Sequence, residues 1–272
     1  MLGLQTRSVR SRRTNPALHD AQGERRSMEG ALSQTAVIIP ARNEAASIGK
    51  VLEDLPDVGL VIVANNGSTD ETPEIAREHG CLVVDEPIPG YGRACLAGLA
   101  ALASSEDTSQ IKIVAFADAD YSDHVHLLDS IVGPIAAGDA DFVLGSRMLG
   151  EREPGAMPLQ ATLGNRLACF LLNLVWRTKY TDLGPFRAMD YQRFLALDMS
   201  DTNFGWTVEM QVKASIAGLR ILELPVPYRR RIGDSKISGT VSGTFRAGYK
   251  ILFTIAKYAW LTRLGFKRSV LE

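Results

Sequence analysis

From residue 35 to about residue 120, short apolar runs alternate with stretches whose apolar positions recur every three or four residues. Residues 36–39, 60–63, 82–84 and 111–116 read as buried strands. Ile48, Val51, Leu52 and Leu55 fall at helical spacing between the first two. Thr72-Pro73 fits an N-cap followed by proline at N1, with Gly80 at the C′ position of the same helix. A small-residue helix is expected over 93–102. Strands alternating with helices predict an α/β fold: a Rossmann-like, mostly parallel central sheet with helices on both faces.

Beyond residue 150 the pattern is less regular. Residues 159–177 read as a helix with a broad apolar face, 186–189 as a short strand and 206–217 as a helix ending at Gly218. Residues 221–228 read as a strand that Pro225 and Pro227 confine to a sheet edge. Residues 232–243 have loop composition, and 244–262 form a last amphipathic helix. The expected organisation is a disordered basic tail over 1–33, one domain over 34–243 and a C-terminal amphipathic helix over 244–272. The tail suits anionic lipid, or translation starts at Met28.

Composition narrows the class. A net charge of −1 gives no sign of nucleic-acid binding. Cys81, Cys95 and Cys169 are odd in number and form no C-x-x-C pair, which argues against a disulfide framework and for a reducing compartment. No run of about eighteen apolar residues is present, and no apolar segment follows the N-terminal arginines. A cytoplasmic protein is therefore expected, peripheral on the inner face of the cytoplasmic membrane if it meets lipid.

Candidate chemistry sits where the expected strands end. Asp118-Ala119-Asp120 follows the fourth strand, and carboxylates at i and i+2 in a turn can share Mg²⁺ or Mn²⁺, which would also hold phosphate oxygens. Pro40-Ala41-Arg42-Asn43-Glu44 ends the first strand and Asn65-Asn66-Gly67-Ser68-Thr69-Asp70 the second. Each alone is ordinary turn chemistry. Three polar strand ends on one carboxyl edge point to a ligand crevice. Gly90-Tyr91-Gly92-Arg93 lacks the third glycine of a dinucleotide fingerprint, since Cys95 stands there. Gly90 and Gly92 are expected to let backbone approach a ligand, with Arg93 near a diphosphate.

In this order and spacing, PARNE, NNGSTD and DAD resemble a family 2 glycosyltransferase of the GT-A fold. The resemblance continues through Gly145-Ser146-Arg147, the segment Thr181 to Arg187, and Gly233-Asp234-Ser235-Lys236. Within the family it is closest to dolichyl- or polyprenyl-phosphate mannose and glucose synthases. It implies inverting transfer of a hexose from a UDP- or GDP-sugar to a lipid phosphate, with Asp118 and Asp120 as metal ligands. Pro40, Arg42, Asn43, Glu44, Asn66, Ser68, Asp70, Gly90, Gly92, Arg93 and Asp118 would contact the nucleotide-sugar. An anionic acceptor needs a cationic cradle rather than a base, and Arg147, Arg187, Arg231 and Lys236, with Asp182, are the candidates. Asp118, Asp120, Arg147, Arg187 and Lys236 form the expected catalytic set. One or two of Arg229–Arg231 should face the site. Glu209 or Asp201 would serve as base for a hydroxyl acceptor such as a glycolipid or small hydroxy acid, although Glu209 reads better as an exposed helix residue. A sugar-phosphate nucleotidyltransferase is disfavoured, because PARNE stands where those enzymes carry a glycine-rich basic loop.

Two departures stand out. Asn65-Asn66 replaces the family's frequent Asp-Asp, and Ser122 stands where synthases often carry glutamine. The aromatic side of the last helix, with Phe245, Tyr249, Phe253 and Trp260 among cations, suits a membrane surface, packing on the domain, or a homodimer.

Overall fold

A computed structural model describes residues 28–105, 108–233 and 241–263. Its centre is a seven-stranded sheet in the order β3-β2-β1-β4-β6-β5-β7. The strands are β1 (Thr35–Ala41), β2 (Leu60–Asn65), β3 (Leu82–Asp85), β4 (Ile113–Phe116), β5 (Phe142–Ser146), β6 (Arg187–Asp190) and β7 (Ile221–Pro225). β1 pairs in parallel with β2 and β4, and β2 with β3, so the carboxyl ends of β1, β2 and β4 lie side by side. β6 runs antiparallel between β4 and β5, which brings Arg187 opposite Phe116, two residues before Asp118.

Helices cover both faces. Residues 28–33 form a short helix, α1. Then come α2 (Ile48–Asp54), α3 (Thr72–Glu78), α4 (Tyr91–Ser104), α5 (Leu128–Ala136), α6 (Leu159–Trp176), α7 (Tyr191–Ala196), α8 (Trp206–Ile216) and α9 (Val241–Arg263). Strand side chains alternate between faces, so Ile38 packs into one apolar core, with Phe116, Phe142 and Trp206. Its neighbours Val37 and Ile39 enter the other, with Val51, Ile131 and Val143.

Several expectations need correction. Thr72 is not the N-cap of α3: Glu71 is, and Thr72 is the buried first residue, with Pro73 in the first turn. Ala31 is buried and Met28 packs beside the second core, so residues 28–33 are helical where the composition suggested tail. Strand β5 and helices α5 and α7 had no counterpart in the sequence reading. β5 offers only the apolar triplet Phe142-Val143-Leu144, and its place in the sheet comes from pairing with β6 and β7. β7 does sit at the sheet edge, and it ends at Pro225, four residues after it begins. The cysteines Cys81, Cys95 and Cys169 are all free.

Candidate active site

A cleft of about 750 Å³ opens at the carboxyl ends of β1, β2 and β4. Pro40, Arg42 and Glu44 line it from β1, Asn66 from β2, and Asp118 and Asp120 from β4. Gly90 and Tyr91 at the start of α4, the segment 202–204, Arg231, and Arg246, Tyr249 and Lys250 of α9 complete the wall.

The β1 and β2 loops are laced together. Asn43 N donates to Ser68 Oγ (3.0 Å), Thr69 N to Asn43 Oδ1 (2.7 Å), Glu44 N to Thr72 Oγ1 (2.8 Å) and Ala45 N to Asp70 Oδ2 (3.1 Å). Asn43 takes a left-handed backbone (φ 51°), which asparagine tolerates better than most residues. Asn43, Ser68 and Asp70, expected at the nucleotide-sugar, thus brace the loops and do not line the cleft. Asn66 does line it, and its amide works in both directions. Nδ2 donates to the carbonyls of Glu86 (3.0 Å) and Ile88 (2.8 Å), while Oδ1 accepts from Gly90 N (2.7 Å). A carboxylate cannot donate, so an aspartate at this position would lose the bonds to both carbonyls.

Gly90 and Gly92 do admit a close approach, but from the chain itself. A Cβ on Gly92 would lie 2.0 Å from the Asp201 carbonyl oxygen, and one on Gly90 2.4 Å from that of Thr202. The glycines therefore seat the 201–204 segment against α4, where Arg93 N donates to Thr202 O (3.1 Å). The Arg93 side chain is not part of the cleft wall.

The D-x-D turn carries concentrated negative charge. Burial, then the Asp120 charge, lifts the Asp118 carboxyl to about 7, and the Tyr91 phenol donates to its Oδ1 (3.0 Å). Burial and the Asp118 and Asp120 charges push Asp123 well above the ordinary carboxylate range. Asp123 Oδ1 is buried without a hydrogen-bond partner. Ser122 donates its N–H (2.9 Å) and its hydroxyl to Asp120 Oδ1. Asp118 and Asp120, crowded by the nearby Asp123 charge, are a carboxylate pair that a hard divalent cation fits. Among the described residues no three His, Cys, Asp or Glu side chains converge as a complete metal cage. An ion here would lean on Asp118 and Asp120 and complete its shell with ligand oxygens.

Cationic groups divide into two sets. Arg229 N donates to Ser122 O (3.2 Å) and Ile232 N to Asp120 O (2.9 Å), so residues 229–232 run beside the D-x-D turn. Of the three arginines only Arg231 lines the cleft, with Nη1 3.1 Å from Asp120 Oδ2 and Nη2 3.1 Å from Glu44 Oε1. Its Nε is buried without a partner. Arg229 turns to Tyr121 and Asp54; the Arg230 side chain donates to Pro154 O, and its backbone N–H to Glu153.

Arg147 and Arg187, expected at the acceptor phosphate, lie outside the cleft wall. Arg147 makes a two-pronged bond to Asp182 (Nε–Oδ2 and Nη2–Oδ1, both 2.8 Å) and lies over the Tyr228 ring. Burial alone would raise the Asp182 carboxyl, but the Arg147 charge and hydrogen bonds outweigh it and hold Asp182 below its usual value. Arg187 is fully buried and gives its guanidinium to the carbonyls of Leu183, Gly184 and Thr207, and burial lowers its pKa to about 10. Both arginines therefore tie β5 and β6 to the 181–184 loop. Lys236 lies outside the described residues.

Glu209 is not exposed. It is buried in α8 and accepts from Tyr258 Oη (2.7 Å), Ser200 Oγ (2.8 Å) and Asp201 N (2.7 Å), with Lys213 Nζ at 3.1 Å. Asp201 is held by the N–H groups of Asn203 and Gly205 and by Lys250 Nζ (2.9 Å). Neither carboxylate lines the cleft, and His124 and His126 do not line it either. The sequence reading did not assign Tyr91, Thr202, Asn203, Phe204, Arg246, Tyr249 or Lys250 to the site. Only Tyr91, between two glycines, carried a local signal.

Comparison with known proteins agrees with this architecture. A model of glycosyl transferase family 2 matches residues 36–196. The chain belongs to glycosyltransferase family 2. An uncharacterized glycosyltransferase of Mycobacterium tuberculosis is 35% identical over 215 residues, covering 78% of this chain and 93% of that protein. A dolichyl-phosphate hexose transferase of Haloferax volcanii is 33% identical over 216 residues, covering 76% of this chain and 88% of that protein. Among solved structures, glucosyl-3-phosphoglycerate synthase from Mycobacterium tuberculosis, in complex with Mn²⁺, uridine diphosphate and glucosyl-3-phosphoglycerate, superimposes with a TM-score of 0.66. It is 21% identical, and the match covers 86% of this chain and 83% of that one. The shared fold is GT-A, as expected from the sequence.

Proposed function

We propose that this family 2 glycosyltransferase moves a hexosyl group, with inversion, from a nucleoside-diphosphate sugar to a polyprenyl phosphate. The observation that carries the reading is the asymmetry of the cleft. The Asp118–Asp120 turn lies in it with Arg231 set against Asp120; Arg246 and Lys250 line it from α9; and the two candidate bases, Glu209 and Asp201, are buried in hydrogen bonds outside it. A hydroxyl acceptor requires a base within reach of its proton. A phosphate monoester is already anionic at neutral pH and needs only cations to seat it. The 33% identical dolichyl-phosphate hexose transferase adds support for a lipid-phosphate acceptor.

In this reading the β1 and β2 loops and Asn66 form the nucleotide end. Pro40, Arg42 and Glu44 face the base and ribose. Asn66 holds the 86–90 segment in place, and the unpartnered Nε of Arg231 is available to a diphosphate oxygen. Asp118 and Asp120 would hold Mg²⁺ or Mn²⁺, which supplies Lewis-acid stabilisation of a departing diphosphate when bound. Arg231 adds fixed positive charge beside the same oxygens. Arg147, Asp182 and Arg187 act indirectly, by fixing the strands that carry the cleft floor.

The test is nucleoside-diphosphate release from a panel of UDP- and GDP-sugars with Mn²⁺ or Mg²⁺, with and without a short-chain polyprenyl phosphate. One donor should turn over only with the lipid phosphate, and an Asp120→Ala variant should be inactive. Turnover regardless of the lipid phosphate would overturn the acceptor assignment.

A further inference from the structure

Helix α6 is built the wrong way round for a surface helix. Its inner face carries Asn165, Ala168, Cys169 and Leu172, all buried. Its outer face carries Leu159, Leu163, Leu167, Phe170 and Leu174, which are 72, 56, 48, 62 and 66% exposed. The spacing of four, four, three and four residues draws these five into one continuous stripe. A helix apolar on both faces belongs in a buried setting, yet here one face meets solvent. Helix α9 packs against α6 and repeats the arrangement. Ile255 and Tyr258 are buried, while Tyr249, Phe253 and Trp260 point outward, the first two with stacked rings 6.1 Å apart.

Charge identifies what covers this face. Residues 159–179 contain no Asp or Glu and carry Arg166, Arg177 and Lys179. Residues 241–263 likewise contain no acid and carry Arg246, Lys257 and Arg263, besides Lys250, which is paired with Asp201. An all-cationic rim around an apolar stripe, in a protein of net charge −1, is a local concentration of charge. A second copy docked by twofold symmetry would set these cations against themselves. An anionic lipid surface satisfies both features, since lasting attachment to a bilayer takes an apolar and a basic signal together. Among the described residues no helix is long and apolar enough to cross a membrane, so the face would lie on the surface.

We infer that the outer faces of α6 and α9 together form a docking face for an anionic membrane surface. Arg246, Tyr249 and Lys250 belong to both this pair of helices and the cleft wall, so docking sets the cleft mouth at the headgroup level. The inference deepens the lipid-acceptor reading and rests on it for its purpose, while its test does not require that reading.

The experiment is co-sedimentation of the full chain with phosphatidylglycerol or phosphatidylcholine vesicles free of polyprenyl phosphate. The wild-type protein should sediment with phosphatidylglycerol, not with phosphatidylcholine, and be released by salt. A triple variant, Leu163→Gln, Phe170→Gln, Leu174→Gln, should lose about tenfold or more in binding. All three side chains are exposed, so the melting midpoint should hold. Should the triple variant fail to fold, Arg166→Gln with Lys179→Gln should weaken phosphatidylglycerol binding alone, severalfold. No retention of the wild type, retention unchanged in the variants, or a dimer that the triple variant splits would each overturn the inference. Transfer to a short-chain polyprenyl phosphate in solution should be unchanged in the triple variant. If even the wild type lacks that transfer, the acceptor reading falls while the vesicle result still decides the docking face.

Discussion

The two sides of the cleft are made differently. On the side proposed for the donor, the loops after β1 and β2 spend their polar side chains on each other: Asn43 on Thr69, Ser68 on Asn43, Asp70 on Ala45 and Thr72. On the side proposed for the acceptor, α9 is tied to α8 by Tyr258 to Glu209 and to the segment before α8 by Lys250 to Asp201, and otherwise presents apolar and cationic side chains outward. Residues that a motif marks as important can therefore act by fixing backbone. The groups facing a substrate can come from elements with no motif at all.

The sharpest way to break this contrast is at the D-x-D turn, where function and stability should part. Asp120→Ala should cost about a thousandfold or more in turnover, several kcal/mol of transition-state stabilisation. Removing Asp120 relieves its repulsion on Asp118 and Asp123 but strands Arg231 Nη1 and the Ser122 N–H, so the metal-free melting midpoint should shift little in either direction. An inactive variant that is also badly destabilised would make Asp120 a brace, like Asp70, and erase the distinction.

The opposite outcome is expected beneath the cleft. Arg147→Ala leaves Asp182 as an uncompensated buried charge and should cost about 3 to 5 kcal/mol in urea unfolding. Asp182 is held below its ordinary value, so the pair's contribution is fully present above the unfolded carboxylate pKa, near 3.8, and is lost as pH falls through the lower folded value. The wild type should lose stability steeply below about pH 4, and Arg147→Ala less so.

Asn66→Asp probes the donor side at smaller cost. The carboxylate would face the Glu86 and Ile88 carbonyls with nothing to donate, at about 1 to 3 kcal/mol. Both stability and donor KM should suffer, with acceptor KM unchanged. An effect on acceptor KM alone would show that the 86–90 segment serves the other side.

The same contrast explains what was legible in the sequence. The first four strands could be read because each is a short apolar run with polar residues at its carboxyl end, and parallel pairing places those ends on one edge without further information. Their roles were less legible, because a side chain that braces a loop and one that faces a ligand have the same residue type. β6 was legible as a short strand over 186–189, but β5 and the antiparallel placing of β6 beside β4 depend on an insertion that no local pattern encodes. Glu209 looked exposed because α8 is buried on nearly all sides, which removes the periodicity that separates faces. Arg147 and Arg187 looked like phosphate ligands because partners such as Asp182 and Thr207 lie 20 or more residues away in the chain.

Arg246 gives the smallest effect and the finest test. It is exposed and lines the cleft from α9, as the exposed Arg42 does from the loop after β1. An exposed cation meeting a phosphate contributes about 0.2 to 1 kcal/mol, so Arg246→Ala should raise acceptor KM by a factor of about 1.4 to 5. That rise should shrink with salt, because an exposed pair is screened over about 8 Å at physiological ionic strength. Donor KM and turnover at saturating acceptor should stay near wild type, since Asp118, Asp120 and Arg231 are untouched. A matched rise in donor KM would put α9 at the nucleotide-sugar, and the division of the cleft into two sides would have to be redrawn.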